Sequence, residues 1–192
     1  MTRHLLTLVS LIGVVTVIQS CAPLVVAGAG TAAVAAHDRR TVGAFVDDSA
    51  VELKISNALR EDDEARENTH INVTSMNGIV LLSGEASTAA LRDRVLANAR
   101  TVAGVRRVVN EIRVAPPSSI GDRSHDTWLT TKVKSKLIGT ESLDSTRVKV
   151  VTENDAVFLL GIVTRKEADL ATGAATSVSG VTRVVKLFEY LD

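Results

Sequence analysis

The sequence predicts an α+β protein made of two tandem lobes, each running helix, strand, strand, helix, strand. Three observations predict it. First, the stretch 71–84, INVTSMNGIVLLSG, returns as 148–161, VKVVTENDAVFLLG: Val73, Asn77, Val80, Leu82 and Gly84 are matched by Val150, Asn154, Val157, Leu159 and Gly161. Second, in each copy two runs rich in β-branched and apolar residues meet across Asn77-Gly78 or Asn154-Asp155, dipeptides that tolerate the positive φ angles of a two-residue hairpin turn. Third, apolar residues recur at helical spacing around each copy. A length of 192 residues allows one large domain or two small ones, and the repeat decides for two. Lobes this small bury a modest share of their surface, so each is expected to lean on its neighbour.

Ahead of the lobes, residues 1–20 have the layout of a secretory signal peptide, with Arg3 followed by an apolar segment around 5–18 that holds no acidic residue. The run is short for a membrane span and is interrupted by Thr7, Ser10 and Thr16. Cys21 is the only cysteine, which excludes an internal disulfide and any multi-cysteine metal site. Ile18-Gln19-Ser20-Cys21 resembles the lipobox of bacterial lipoproteins; Ile18 and Ser20 fit it, and Gln19 departs from the small residue usual at its position. That resemblance makes Cys21 the expected lipidation site, and Ala22 in place of an aspartate points to the outer membrane. The alternative is a free thiol that happens to follow an apolar run. Residues 21–47 read as a lipidated N-terminus and tether.

The first lobe is expected over 48–114 and the second over 126–192. Between them, 115–125 contains Pro116-Pro117-Ser118-Ser119 and Gly121 and reads as a linker. The opening helix of the first lobe spans about 49–59, with Val51, Ile55 and Leu59 on one face, and its counterpart carries Leu129, Val133 and Leu137; Asp48 and Asp126 stand where N-caps would. With Asn77-Gly78 as the loop, Val73 faces Leu82, Ser75 faces Val80 and Ile71 faces Gly84. One sheet face then carries Ile71, Val73, Val80 and Leu82, and its copy carries Val148, Val150, Val157 and Leu159. Every identity outside the turn falls there, so this is the face read as covered by helices. Gly84 and Gly161 sit on it either because another backbone passes close or because they end a strand. The second helices are read over 91–102 and 168–178, stopping near Gly104 and Gly180. The last strands are read over 105–114 and 181–191.

This order, the hairpins ending in glycine (VLLSG at 80–84, VFLLG at 157–161) and the late pairs Gly104-Val105 and Gly180-Val181 resemble the BON domain. Together with the signal peptide, the lipobox cysteine, DRRTVG at 38–43, VDD at 46–48 and DTW at 126–128, nearly the whole chain resembles the dual-BON outer-membrane lipoproteins. The resemblance implies two αββαβ BON lobes, each with two helices on a small three-stranded mixed sheet, and Gly84, Gly104, Gly161 and Gly180 as structural glycines. It also implies binding of anionic phospholipid through the second lobe, enrichment at division sites and support of outer-membrane integrity from the periplasmic side.

The formal charge is zero, so nothing in the balance points to a nucleic-acid partner. Aromatic residues are only 3% of the chain, and the single tryptophan, Trp128, stands out. At about 100° per residue, Val133 and Leu137 lie about 140° and 180° from Trp128, so the indole points away from the core. Lys132 and Lys136 lie about 40° and 80° to one side and Ser135 about 20° to the other. The segment 127–140 holds three lysines and no acidic residue, whereas the first lobe has Ala50 in place of Trp128 and Glu52 in place of Thr130. A tryptophan among lysines suits anionic headgroups; the alternative is that it packs on the linker or the other lobe. With the resemblance, the expected lipid-binding set is Gly121, Thr127, Trp128, Thr131, Lys132, Ser135 and Lys136. The expected lipids are phosphatidylglycerol and cardiolipin, and envelope proteins are the second class of partner.

No catalytic residue, metal or cofactor is expected. The acidic run 61–64 reads as a solvated loop, and His4, His37, His70 and His125 lack ligand spacing. Arg106-Arg107 reads as edge charge, and no nucleophile elbow or phosphate-binding glycine loop occurs.

Overall fold

The computed structural model describes residues 39–192; the expected signal peptide, Cys21 and most of the tether lie outside them. Helix α1 (Val42–Glu61) begins at Thr41, whose Oγ1 accepts the Ala44 N–H at 3.1 Å. Asp62 ends α1 and caps a short α2 (Asp63–Asn68), and Arg94 reaches back to Asp62 and Glu64. The run 61–64 is therefore a helix junction rather than a loop. Strands β1 (Thr69–Met76) and β2 (Ile79–Ala86) form an antiparallel hairpin. Helix α3 (Ala89–Thr101) then carries the chain over the sheet so that β3 (Arg107–Val114) pairs parallel with β2. The second lobe repeats the plan with α4 (Ile120–Ile138), a 3₁₀ turn (Ser145–Arg147), β4 (Lys149–Glu153), β5 (Ala156–Val163), α5 (Arg165–Thr176) and β6 (Arg183–Tyr190). Each sheet is mixed and three-stranded, with the hairpin's second strand in the middle.

The hairpin register is the expected one: Val73 faces Leu82, Ser75 faces Val80 and Ile71 faces Gly84, while Val150 faces Leu159 in the second copy. Asn77 and Gly78 (φ 49° and 73°), like Asn154 and Asp155 (φ 50° and 60°), supply the two consecutive positive φ angles that let the strands twist without splaying. Val80 and Leu82 bury against Val51 and Ile55 of α1 and Leu91, Val95 and Ala99 of α3. Val150, Val157 and Leu159 do the same against Leu129, Val133 and Leu137 of α4 and Ala171 and Ala175 of α5. Gly84 and Gly161 lie inside β2 and β5, not at their ends, and a Cβ on either would run into the carbonyl of His70 or Arg147. Gly104 and Gly180 hold φ near +100° in the turns after α3 and α5.

Two expectations about the helix starts are corrected. Asp48 and Asp126 are not N-caps: both are buried in mid-helix, and Thr41 and Ser119 are the caps. The segment 115–125 is a linker only as far as Ser119, because Ser119 and Asp122 form a reciprocal capping box that starts α4 at Ile120 and takes Gly121 into the helix. Likewise 42–47 belongs to α1 rather than to the tether.

The opposite faces of the two sheets form a third core that joins the lobes. Met76 and Leu81 of the first sheet pack with Ala156, Phe158, Leu160 and Leu187 of the second. The body is thus four layers, helices–sheet–sheet–helices. Polar contacts rim the joint in exchanged pairs: Asn77 Nδ2 donates to Glu189 on β6 at 2.9 Å, and Arg113 on β3 donates to Asn154 Oδ1 at 2.6 Å. Arg183 bonds Glu111, and Lys149 bonds Glu52. Where the tether meets the body, adjacent residues hold different lobes. Arg39 forks onto Glu167 of α5 at 2.7 and 3.0 Å, and Arg40 bonds Asp48 of α1 at 2.7 Å.

Candidate lipid-binding face

Helix α4 is held from below by its buried apolar stripe, Leu129, Val133 and Leu137, and by Asp126. The Asp126 carboxylate accepts the N–H groups of Asn154 and Asp155 at 2.8 and 3.0 Å, which fixes the helix against the β4–β5 turn. Asp48 makes the equivalent bonds to Asn77 and Gly78 and also accepts from Ser75 and Arg40. Burial opposes the Asp48 charge, but those hydrogen bonds outweigh it and hold its pKa below the usual carboxylate value.

Trp128 is 53% exposed on the outer side of α4, facing away from the core as its helical angle requires. Lys132 does not stand free beside it. Its ammonium lies 4.2 Å from the indole centroid and donates to the Ser179 carbonyl at 2.7 Å, closing one ring face. His125 approaches to 5.5 Å between ring centroids, with Nε2 3.1 Å from Asp155. Gly121, Thr131 and Ser135 are exposed and share the stripe with Trp128 to within about 60°. Thr127 is exposed but lies about 100° off that stripe. The Thr127 and Thr131 hydroxyls turn back onto the carbonyls of Arg123 and Thr127. Lys136 is exposed too, and it faces α5 rather than the indole.

Two residues that sequence reasoning missed flank this face. Ile120 and Ile138 are 79% and 72% exposed at the two ends of α4. Eighteen residues apart, they fall on one azimuth about 80° from Trp128, a spacing visible in the sequence once the helix is known to begin at 120.

Between the C-terminal half of α4 and α5 lies a groove of ≈ 840 Å³ with Lys136 on one wall and Lys166 and Asp169 on the other, over Leu170, Gly173 and Ala174. At the far side of this lobe, facing the first, Glu153 is buried and accepts from Asn72 at 2.6 Å. Its pKa is pushed up to about 7, by burial first and then, against the Asn72 bond, by the Glu85 and Asp126 carboxylates. Glu85 is itself fully buried. Burial opposes its charge, but bonds from Asn154 and Ser118 and the nearby Arg113 hold its pKa below the usual value. Among the described residues no helix is long and apolar enough to cross a membrane, and no group of three or more His, Cys, Asp or Glu side chains could hold a metal ion.

Comparison with known proteins places this geometry in context. The BON domain model matches residues 47–116 and 125–192. Over 182 residues the chain is 41% identical to outer membrane lipoprotein DolP of Haemophilus influenzae, covering 95% of this chain and 94% of that one. It is 38% identical to the 21 kDa hemolysin of Actinobacillus pleuropneumoniae, covering 81% and 80%. It is also 34% identical to osmotically-inducible protein Y of Escherichia coli, covering 74% and 72%.

Proposed function

This chain belongs to the BON domain family, and on that premise we propose that it is a non-catalytic protein, lipid-anchored at Cys21, whose second lobe docks on anionic phospholipid through α4. Its place is the outer membrane, as a lipoprotein facing the periplasm. The observation that carries the docking reading is the exposed Trp128, set with Ile120 and Ile138 on an outward face whose 127–140 segment has no acidic residue. An indole and apolar flanks enter the headgroup region while nearby lysines meet negative charge. The indole contributes about 2 kcal/mol and each lysine near an anionic surface about 1 kcal/mol, with Lys132 already partly satisfied by Ser179. That sum alone is near-millimolar affinity, and an acyl anchor makes such weak contact effectively intramolecular. Phosphatidylglycerol and cardiolipin are the lipids of the right charge. Support of outer-membrane integrity and enrichment at division sites belong to the same proposal.

Vesicles test it. The chain from residue 22 onward is expected to bind phosphatidylglycerol vesicles, and Trp128→Glu to weaken that binding at least about tenfold, through lost indole burial and added repulsion. Equal binding by the variant overturns the assignment of this face.

A second reading, an adaptor for envelope proteins, is favoured by one observation. The four-layer body turns α1 away from α4, and α1 exposes Val42, Val46 and Leu53 within about 40° of one another with no lipid-like basic partner set. Full envelope function in a Trp128→Glu strain would favour the adaptor over the lipid reading.

A further inference from the structure

We propose that the groove between α4 and α5 seats the headgroup of a single anionic phospholipid, with its phosphodiester between Lys136 and Lys166. The inference rests on the lipid reading of α4 and adds a stoichiometric site to it. The cation nearest the indole, Lys132, is occupied by the ring and the Ser179 carbonyl, so it is poorly placed to meet a phosphate. Lys136 and Lys166 face the groove from different helices, and their ammoniums make no hydrogen bond or ion pair among the described residues. Two unspent cations lining one cleft can converge on a single phosphate, at a lower ordering cost than cations scattered over a surface. Asp169 leaves the groove one net positive charge, which matches a singly charged phosphodiester, and it can accept from the hydroxyls of a glycerol headgroup. The floor of Leu170, Gly173 and Ala174 is apolar, and a Cβ built on Gly173 would meet open space. It leaves room for the glycerol backbone while the chains run toward the Trp128 stripe on the same helix. Trp128 then supplies insertion, and the groove supplies recognition.

The test uses the chain from residue 22 onward and dihexanoyl phosphatidylglycerol below its micelle concentration, so that no membrane surface is present. Saturable amide shifts are expected at 136–140 and 166–173. Lys166→Gln, on a helix that carries none of the Trp128 stripe, is expected to weaken this binding about fivefold, and Lys166→Arg to restore it. Shifts confined to the Trp128 stripe, or an unchanged affinity in Lys166→Gln, overturn the seat. Inorganic phosphate that gives the same shifts at the same concentration also overturns it, since the site would then read a free anion. Unchanged vesicle binding by Trp128→Glu, with the short-chain lipid still shifting 136–140 and 166–173 in the parent, would instead overturn the docking role of Trp128 while supporting the seat.

Discussion

A carboxylate buried in mid-helix is costly unless its lone pairs are filled, and Asp126 fills them with the two backbone N–H groups of the β4–β5 turn. Truncating it removes two charge-assisted bonds and strands their donors. Asp126→Ala is expected to lower stability by about 2–4 kcal/mol, read as a fall in the urea midpoint, with Asp126→Asn between it and the parent. The same bond pattern at Asp48 explains why both hairpin turns sit at one end of their opening helix. An acidic residue ahead of a helical run reads alike whether it caps that run or reaches across to another element. Sequence position alone favoured the cap, and the tertiary partner decided otherwise. Trp128 was legible because its angle from Val133 and Leu137 leaves it no room inside. The fate of Lys132 was not, since Ser179 approaches only through the packing of α5 on α4.

The middle strands β2 and β5 are buried on both faces, one against helices and one against the other sheet. A strand of that kind shows as a continuous apolar run, and Val80-Leu81-Leu82 and Val157-Phe158-Leu159-Leu160 are such runs. The sequence therefore held a sign of the joint between lobes, although only the helix-facing alternation was read from it. Fold and register were legible because the repeat and the turn dipeptides constrain them locally. The start of α4 was obscured by Pro116-Pro117 and Gly121, even though Ser119 and Asp122 stand at capping-box spacing. A consequence follows for β5. Produced without the first lobe, the second exposes Phe158, Leu160 and Leu187, so residues 117–192 alone are expected to bind the dye ANS and to self-associate. The two-lobe chain is expected to melt in a single calorimetric transition. Two resolved transitions would show that the shared core contributes little.

Across the whole molecule, the joint also sets a response to pH. Glu153 has an ordinary value of 4.5 and is raised to about 7 in the fold. Because the folded value lies above the unfolded one, the fold prefers it protonated. That stabilisation is complete below about pH 4.5 and is lost as pH rises through about 7. Glu153→Gln is expected to remove this loss, making the variant more stable than the parent at pH 8 by on the order of 1–2 kcal/mol after allowance for screening, with little gain at pH 5. Urea titrations at the two pH values read it. Glu167 acts in another window. Burial opposes its charge, but bonds from Thr164, Arg39 and Arg147 bring it to about 2, so its contribution is present above about pH 4.5 and fails only as pH falls through about 2.

Arg39 and Arg40 are neighbours in the chain, yet one grips Glu167 and the other Asp48. A pull arriving along the upstream segment, as when the envelope flexes, is therefore divided between both halves of the body. Neither half takes the strain by itself, and the first turn of α1 is spared from being peeled away.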